Sequence, residues 1–145
     1  VATVTQDDNY WRTAASAVLI GAQHYVVFTL QTVQCGVCVG VVREDCDVRG
    51  GKHAHWEAGN SFFHTYDGKH FPGHRDWPGM QAAVEGDHIG LLLDTTDGRL
   101  TVFKNDAMLG VLTPREGLGS TSGFRWAVSM RREDSVRIEA APLPR

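Results

Sequence analysis

The stretch Gly86-Asp87-His88-Ile89-Gly90-Leu91-Leu92-Leu93-Asp94-Thr95-Thr96-Asp97-Gly98-Arg99-Leu100-Thr101-Val102-Phe103-Lys104-Asn105-Asp106 decides the fold class. Its two apolar runs, His88 to Asp94 and Arg99 to Lys104, are rich in Leu, Ile, Val, Thr and Phe and are too short for stable helices. Thr96-Asp97-Gly98 separates them, and Asn105-Asp106 divides the second run from a third, Met108 to Leu112. Asn, Asp and Gly tolerate the positive φ that tight hairpin turns require. The stretch therefore reads as two successive hairpins.

The same texture extends in both directions. Further strands are predicted over Ala17 to Ile20, His24 to Leu30, Val37 to Val42, Ser61 to Tyr66, Phe124 to Met130 and Ser135 to Ala140, punctuated by many of the 16 glycines. In Ser135-Val136-Arg137-Ile138-Glu139 the alternation places Val and Ile toward a core and the polar residues toward water. Helical signals are nearly absent: only Gln81 to Glu85, after Pro78 and Gly79, could make a helical turn, and it is too short to be a stable helix by itself. Arg43 to Gly59 and Asp67 to Gly79 lose apolar periodicity and read as long surface loops. Ala141-Pro142-Leu143-Pro144-Arg145 reads as an exit tail, because proline cannot donate to a sheet. The chain is all-β.

A length of 145 residues fits a single domain over residues 1–145, with 42% apolar and 21% charged residues. The formal net charge is -3 and the 14 basic residues are scattered, Arg131-Arg132 being the densest pair, so no nucleic acid partner is expected. The apolar tract from Ala14 to Leu30 is broken by Ser16, Gly21, Gln23 and His24, which argues against membrane insertion. The chain begins with Val and carries no charged-then-apolar leader, so it reads as a domain excised from a longer protein or a processed product. Three cysteines and no Asn-x-Ser/Thr acceptor favour a reducing, intracellular and cytoplasmic setting.

Candidate chemistry is sparse. Cys35-Gly36-Val37-Cys38 has the spacing of a redox or zinc half-site, but it leads into a strand rather than a helix, where residues three apart face opposite ways, and no second cysteine pair completes a zinc site. Seven histidines, among them His53-Ala54-His55, His64, His70 and His74, match no closed zinc motif. Gly119-Ser120-Thr121-Ser122-Gly123 misses the spacing of a nucleophile elbow, Asp87 and Asp94 suit turns, and Gly51-Lys52 and Gly68-Lys69 lack the rest of a phosphate loop. The expectation is no catalytic residue, no metal and no cofactor. Trp11, Trp56 and Trp77, near Arg12, Arg49 and Arg75, form the mixture enriched at protein interfaces, the alternative for each being a plug at an end of the sandwich, whereas Trp126 lies in an apolar strand and belongs to the core.

Gly21-x-x-His24-Tyr25, Val39-Gly40-Val41, Gly86-Asp87-x-Ile89-Gly90-x-x-x-Asp94, Gly98-x-Leu100-x-x-Phe103-x-Asn105-x-x-x-Leu109-Gly110 and Ala127-Val128-Ser129 follow one another in an order that resembles the SPRY domain family, over roughly Gly21 to Ile138. Val26-Val27, Asp106 and Trp126 depart from the family's usual Trp-Glu, Gly and Pro. The resemblance implies a bent β-sandwich of two antiparallel sheets, jelly-roll in architecture and monomeric as an isolated domain. It also implies a non-catalytic protein-binding role: an adaptor or scaffold, or the substrate-recruiting part of a ubiquitin ligase. Edge loops would grip a peptide or partner domain through Trp11, Arg12 and Thr13, through Arg49 and Trp56 within Glu44 to Trp56, and through Met130, Arg131 and Arg132. The competing reading is a small-ligand or carbohydrate module that stacks a sugar on Trp77.

Overall fold

The structure is a computed structural model and describes residues 2–3, 11–48, 54–114, 118, 123–131 and 133–144. Its chain order is β1 (Ala2–Thr3), β2 (Arg12–Ala15), β3 (Gln23–Thr32), β4 (Cys38–Arg43), a 3-10 turn (Ala54–Trp56), β5 (Ser61–His64), β6 (His70–Phe71), β7 (His88–Asp94), β8 (Arg99–Lys104), β9 (Ala107–Thr113), β10 (Phe124–Met130) and β11 (Ser135–Ala140). Two antiparallel sheets result, a six-stranded one in the order β1-β11-β3-β7-β8-β9 and a five-stranded one in the order β2-β10-β4-β5-β6.

The hairpins of the opening stretch are β7-β8 and β8-β9. Asn105 and Asp106 both take positive φ, 51° and 71°, and Gly98 takes 71°. Side chains hold these turns: Asp94 Oδ1 accepts the Thr96 amide at 3.0 Å, and Asn105 Oδ1 accepts the His88 amide at 2.9 Å.

Period-two alternation supplies the core. Val26, Phe28 and Leu30 of β3 and Ile89, Leu91 and Leu93 of β7 point from the large sheet toward Val39 and Val41 of β4 and Phe124, Trp126, Val128 and Met130 of β10. Phe28 meets Trp126 edge to face, with centroids 6.3 Å apart. On the other face of the large sheet Tyr25 crosses Gly90, whose missing Cβ would run into the Tyr25 ring and hydroxyl. The glycine of one motif thus makes room for the tyrosine of another.

Several expectations are corrected. The strand expected over Ala17 to Ile20 is instead β2, Arg12–Ala15, because that segment is in register with β10. Ile20 is 90% exposed, so the apolar run Val18-Leu19-Ile20 was a misleading signal; only Leu19 packs on the core. Gln81 to Glu85 is not a helical turn but an extended strap, tied by the Ala83 amide to the Thr65 carbonyl at 2.8 Å, with Ala83 in the core. The expected Asp67 to Gly79 loop contains β6. Arg43 to Gly59 is not simply a surface loop, since Cys46, Ala54 and His55 are buried. They pack with Cys38, Val42, Phe62, Phe71 and Ala127 in a second apolar cluster on the outer face of the five-stranded sheet, flanked by Trp11, Ala15 and Val48. Strand β4 is therefore buried on both faces.

Candidate functional site

Register builds the floor of the site. Thr13, Ser129, Cys38 and His64 are successive cross-strand partners on β2, β10, β4 and β5, and they share the outer face. Thr13 Oγ1 and Ser129 Oγ share a hydrogen bond of 2.7 Å along this row. Arg12 pairs with Met130, so the residues just outside that pair, Trp11 and Arg131, meet at the sheet end. The Arg131 guanidinium lies 4.6 Å from the Trp11 ring centroid, a cation-π contact. Arg131 Nε is buried and has no hydrogen-bond partner among the described residues.

Beside this pair lies a cavity of about 440 Å³. Trp11, His55 and Phe71 form its apolar wall, with Trp11 and His55 centroids 4.7 Å apart and His55 and Phe71 5.3 Å apart. His64, Asp67 and His74 form its polar wall, and Cys35, Cys38 and Tyr66 complete it. The two cysteines do not face opposite ways as a strand would place them. Cys35 precedes β4, in a turn where Gly36 has φ of 102°, so an exposed and a buried thiol line one cavity, and both are free.

Asp67 sits between two imidazoles. His64 Nδ1 is 3.1 Å from its Oδ1, His74 Nε2 is 2.6 Å from its Oδ2, and the Lys69 amide donates to Oδ1 at 3.0 Å. A carboxylate only accepts, so each facing ring nitrogen carries the proton. Burial raises the Asp67 pKa, but the Lys69 amide, the His74 hydrogen bond and the two imidazoles outweigh it and hold the carboxyl below its usual range. Burial pushes the His64 pKa down, opposed by Asp67, and keeps that ring neutral. Phe71 stacks on His74 at 4.8 Å with an 18° interplanar angle.

Of the residues expected at the site, Trp11 and Arg131 are brought together on the cavity. Arg12 is half-buried beside them and donates to the Trp11 carbonyl at 3.3 Å. Thr13 is engaged with Ser129. Met130 is 1% exposed and belongs to the core, so it presents no surface to a partner. The Trp56 backbone closes the 3-10 turn, and Arg49, Arg132 and His53 lie outside the described residues. Trp77 donates its N–H to the Gly68 carbonyl, packs on the core and meets Phe63 edge to face at 6.3 Å, so it plugs one end of the sandwich rather than standing free for a sugar. His64, Asp67, Phe71 and His74 were not singled out as partner-binding residues. Their only signal was the wealth of histidine around residue 70.

A second Ser-His contact, outside this cavity, has the composition of a nucleophile and base. Ser61 Oγ is 3.0 Å from His70 Nε2, and Arg75 Nη2 is 3.2 Å from His70 Nδ1. Guanidinium only donates, so Nδ1 is the acceptor and Nε2 carries the proton. The ring therefore donates to Ser61, which is 1% exposed, and cannot take its proton.

Two antiparallel sheets with a cavity on the outer face of one of them define a class of β-sandwich. The SPRY domain family model matches residues 23–142, and the chain belongs to that family. Members are generally protein-interaction modules. Among solved structures, the SPRY domain of human HERC1 superposes with a TM-score of 0.70 at 14% identity, covering 90% of this chain and 82% of that one. Another human SPRY domain does so with a TM-score of 0.69 at 16% identity, covering 95% and 90%. No curated protein matches the chain. Among the described residues no helix is long and apolar enough to cross a membrane.

Proposed function

We propose that the cavity beside Trp11 and Arg131 receives a short segment of a partner protein, and that the chain acts by binding, without a reaction of its own. The observation that carries this reading is the pair of Trp11 and Arg131, whose ring and guanidinium stack at 4.6 Å on the wall of one cavity. A guanidinium on the cavity wall offers charged donors to an acidic or carbonyl-bearing side chain, while Trp11 and Phe71 take the apolar part of the segment. Within a longer protein such a module recruits or scaffolds, and substrate recruitment for ubiquitin transfer is one form of that role.

Pull-downs from native lysate with wild type, Trp11→Ala and Arg131→Glu plus Arg132→Glu test the assignment, with folding checked by thermal unfolding. The expected result is a partner held by wild type and lost from both variants. Equal capture by all three would overturn the site.

A further inference from the structure

The polar wall of the cavity has a donor set that peptide binding does not use. One ring nitrogen each of His64 and His74 and a carboxylate oxygen of Asp67 lie within 4.8 Å of one another. We infer that His64, Asp67 and His74 form a binding site for a divalent transition-metal ion of the zinc type. Two imidazoles and one carboxylate are the ligands such ions take, at about 2.0–2.2 Å. Donors about 2.05 Å from a tetrahedral ion stand about 3.3 Å apart. The two Asp67 oxygens are 3.1 and 2.6 Å from the ring nitrogens, so these contacts open by up to about 0.7 Å to admit the ion, and a donor pair at the 4.8 Å limit closes by about 1.5 Å, both within reach of side-chain rotation.

Three independent restraints hold the donors in place. His64 ends β5 on the outer sheet face. Asp67 is fixed by the Lys69 amide in a turn whose Gly68 amide donates to the His64 carbonyl at 2.7 Å. His74 is held at φ of 48°, an uncommon conformation for a residue with a side chain, by a tight loop and by stacking on Phe71. On binding, the two ring protons now shared with Asp67 move to the other ring nitrogens or to solvent, leaving lone pairs toward the ion. All three residues line the cavity, which supplies an entry path and room for a solvent ligand in the fourth position. Arg131 lines the same cavity and its charge acts against a cation at His64, while the Asp67 carboxylate acts in its favour.

Zn²⁺ titration by calorimetry, with Co²⁺ absorption as a second probe, tests this in a Cys35→Ser background that removes the exposed thiol. One equivalent of Zn²⁺ is expected, with a tetrahedral Co²⁺ spectrum lacking sulfur charge transfer. His74→Ala and Asp67→Asn should each weaken binding about tenfold or more. Zn²⁺ should raise the melting temperature of the parent but not of His74→Ala, each compared with its own metal-free value. In nuclear magnetic resonance of the parent, Zn²⁺ should shift the His64 and His74 ring signals, a readout that survives even if a variant misfolds. No saturable binding, or equal affinity in both variants with unmoved ring signals, overturns the site. The measurement needs no partner, so it stands or falls separately from peptide recognition.

Discussion

Lowering the pH should destabilise this protein through one ring in particular. His70 is 9% exposed, and burial, followed by the charge of Arg75, pushes its pKa from 6.5 down to about 4. The cause is visible in the hydrogen bonds, because protonating Nδ1 would turn the acceptor of Arg75 into a second cation against it. The unfolded chain takes up this proton near pH 6.5 and the folded one only near 4, so the unfolded state binds more protons between them and stability is lost as pH falls through that window. Integrated from pH 7 to pH 4, the loss is about 3 kcal/mol at about 1.4 kcal/mol per pKa unit. His70→Gln is the informative perturbation, since its amide can accept from Arg75 and donate to Ser61 without titrating. Urea unfolding at half-unit steps of pH, with chelator present, should give a wild-type stability that falls about 3 kcal/mol further than that of His70→Gln by pH 4. His64 titrates in the same direction but is common to both proteins and cancels in the difference. Parallel curves for the two proteins would refute the assignment of the ring's tautomer and burial.

Other outcomes are equally open to measurement. Phe28→Ala should cost about 3–5 kcal/mol in denaturant unfolding, since Phe28 is fully buried against Trp126. Gly90→Ala should destabilise by more than about 1 kcal/mol, and Tyr25→Ala in the same chain should relieve part of that cost, a coupling read by a double-mutant cycle. Cys35 should alkylate readily in the native protein, whereas Cys38, fully buried with its thiol pushed well up in pKa by that burial, should react only on unfolding; peptide mass spectrometry separates the two.

The hairpins over His88 to Lys104 and the strands Phe124 to Met130 and Ser135 to Ala140 were legible because their periodicity and turn residues are local signals. Strand β2 was missed because its residues, Arg-Thr-Ala-Ala, carry little apolar alternation and owe their conformation to pairing with β10, more than a hundred positions away. The second apolar cluster was missed for a similar reason. Burial of Cys46 and His55 is decided by the sheet face beneath them, not by their neighbours in sequence. Trp11 and Arg131 were expected at the site from the family resemblance, and the β2-β10 register gives the reason they adjoin. Met130, one residue from Arg131, shows the limit of reasoning by segment, since it faces the core from the last position of β10 while Arg131, just past the strand end, lines the outer cavity. The His64, Asp67 and His74 grouping depends on how one loop folds back, which spacing alone does not encode.

The cavity draws Trp11 from the start of the described chain, Cys35 and His64 from its first half and Arg131 from near its end. On a ribosome, its walls therefore stand apart until β10 and the residue after it have emerged and β10 has inserted between β2 and β4. Contacts so distant in sequence form late, after the entropy of closing the long loops between them has been met. A nascent or truncated chain that stops before Arg131 has no pocket to offer, however much of the large sheet it has formed. The pocket is thus completed only once synthesis has passed β10, while β11 and its core residue Val136 have still to join the large sheet.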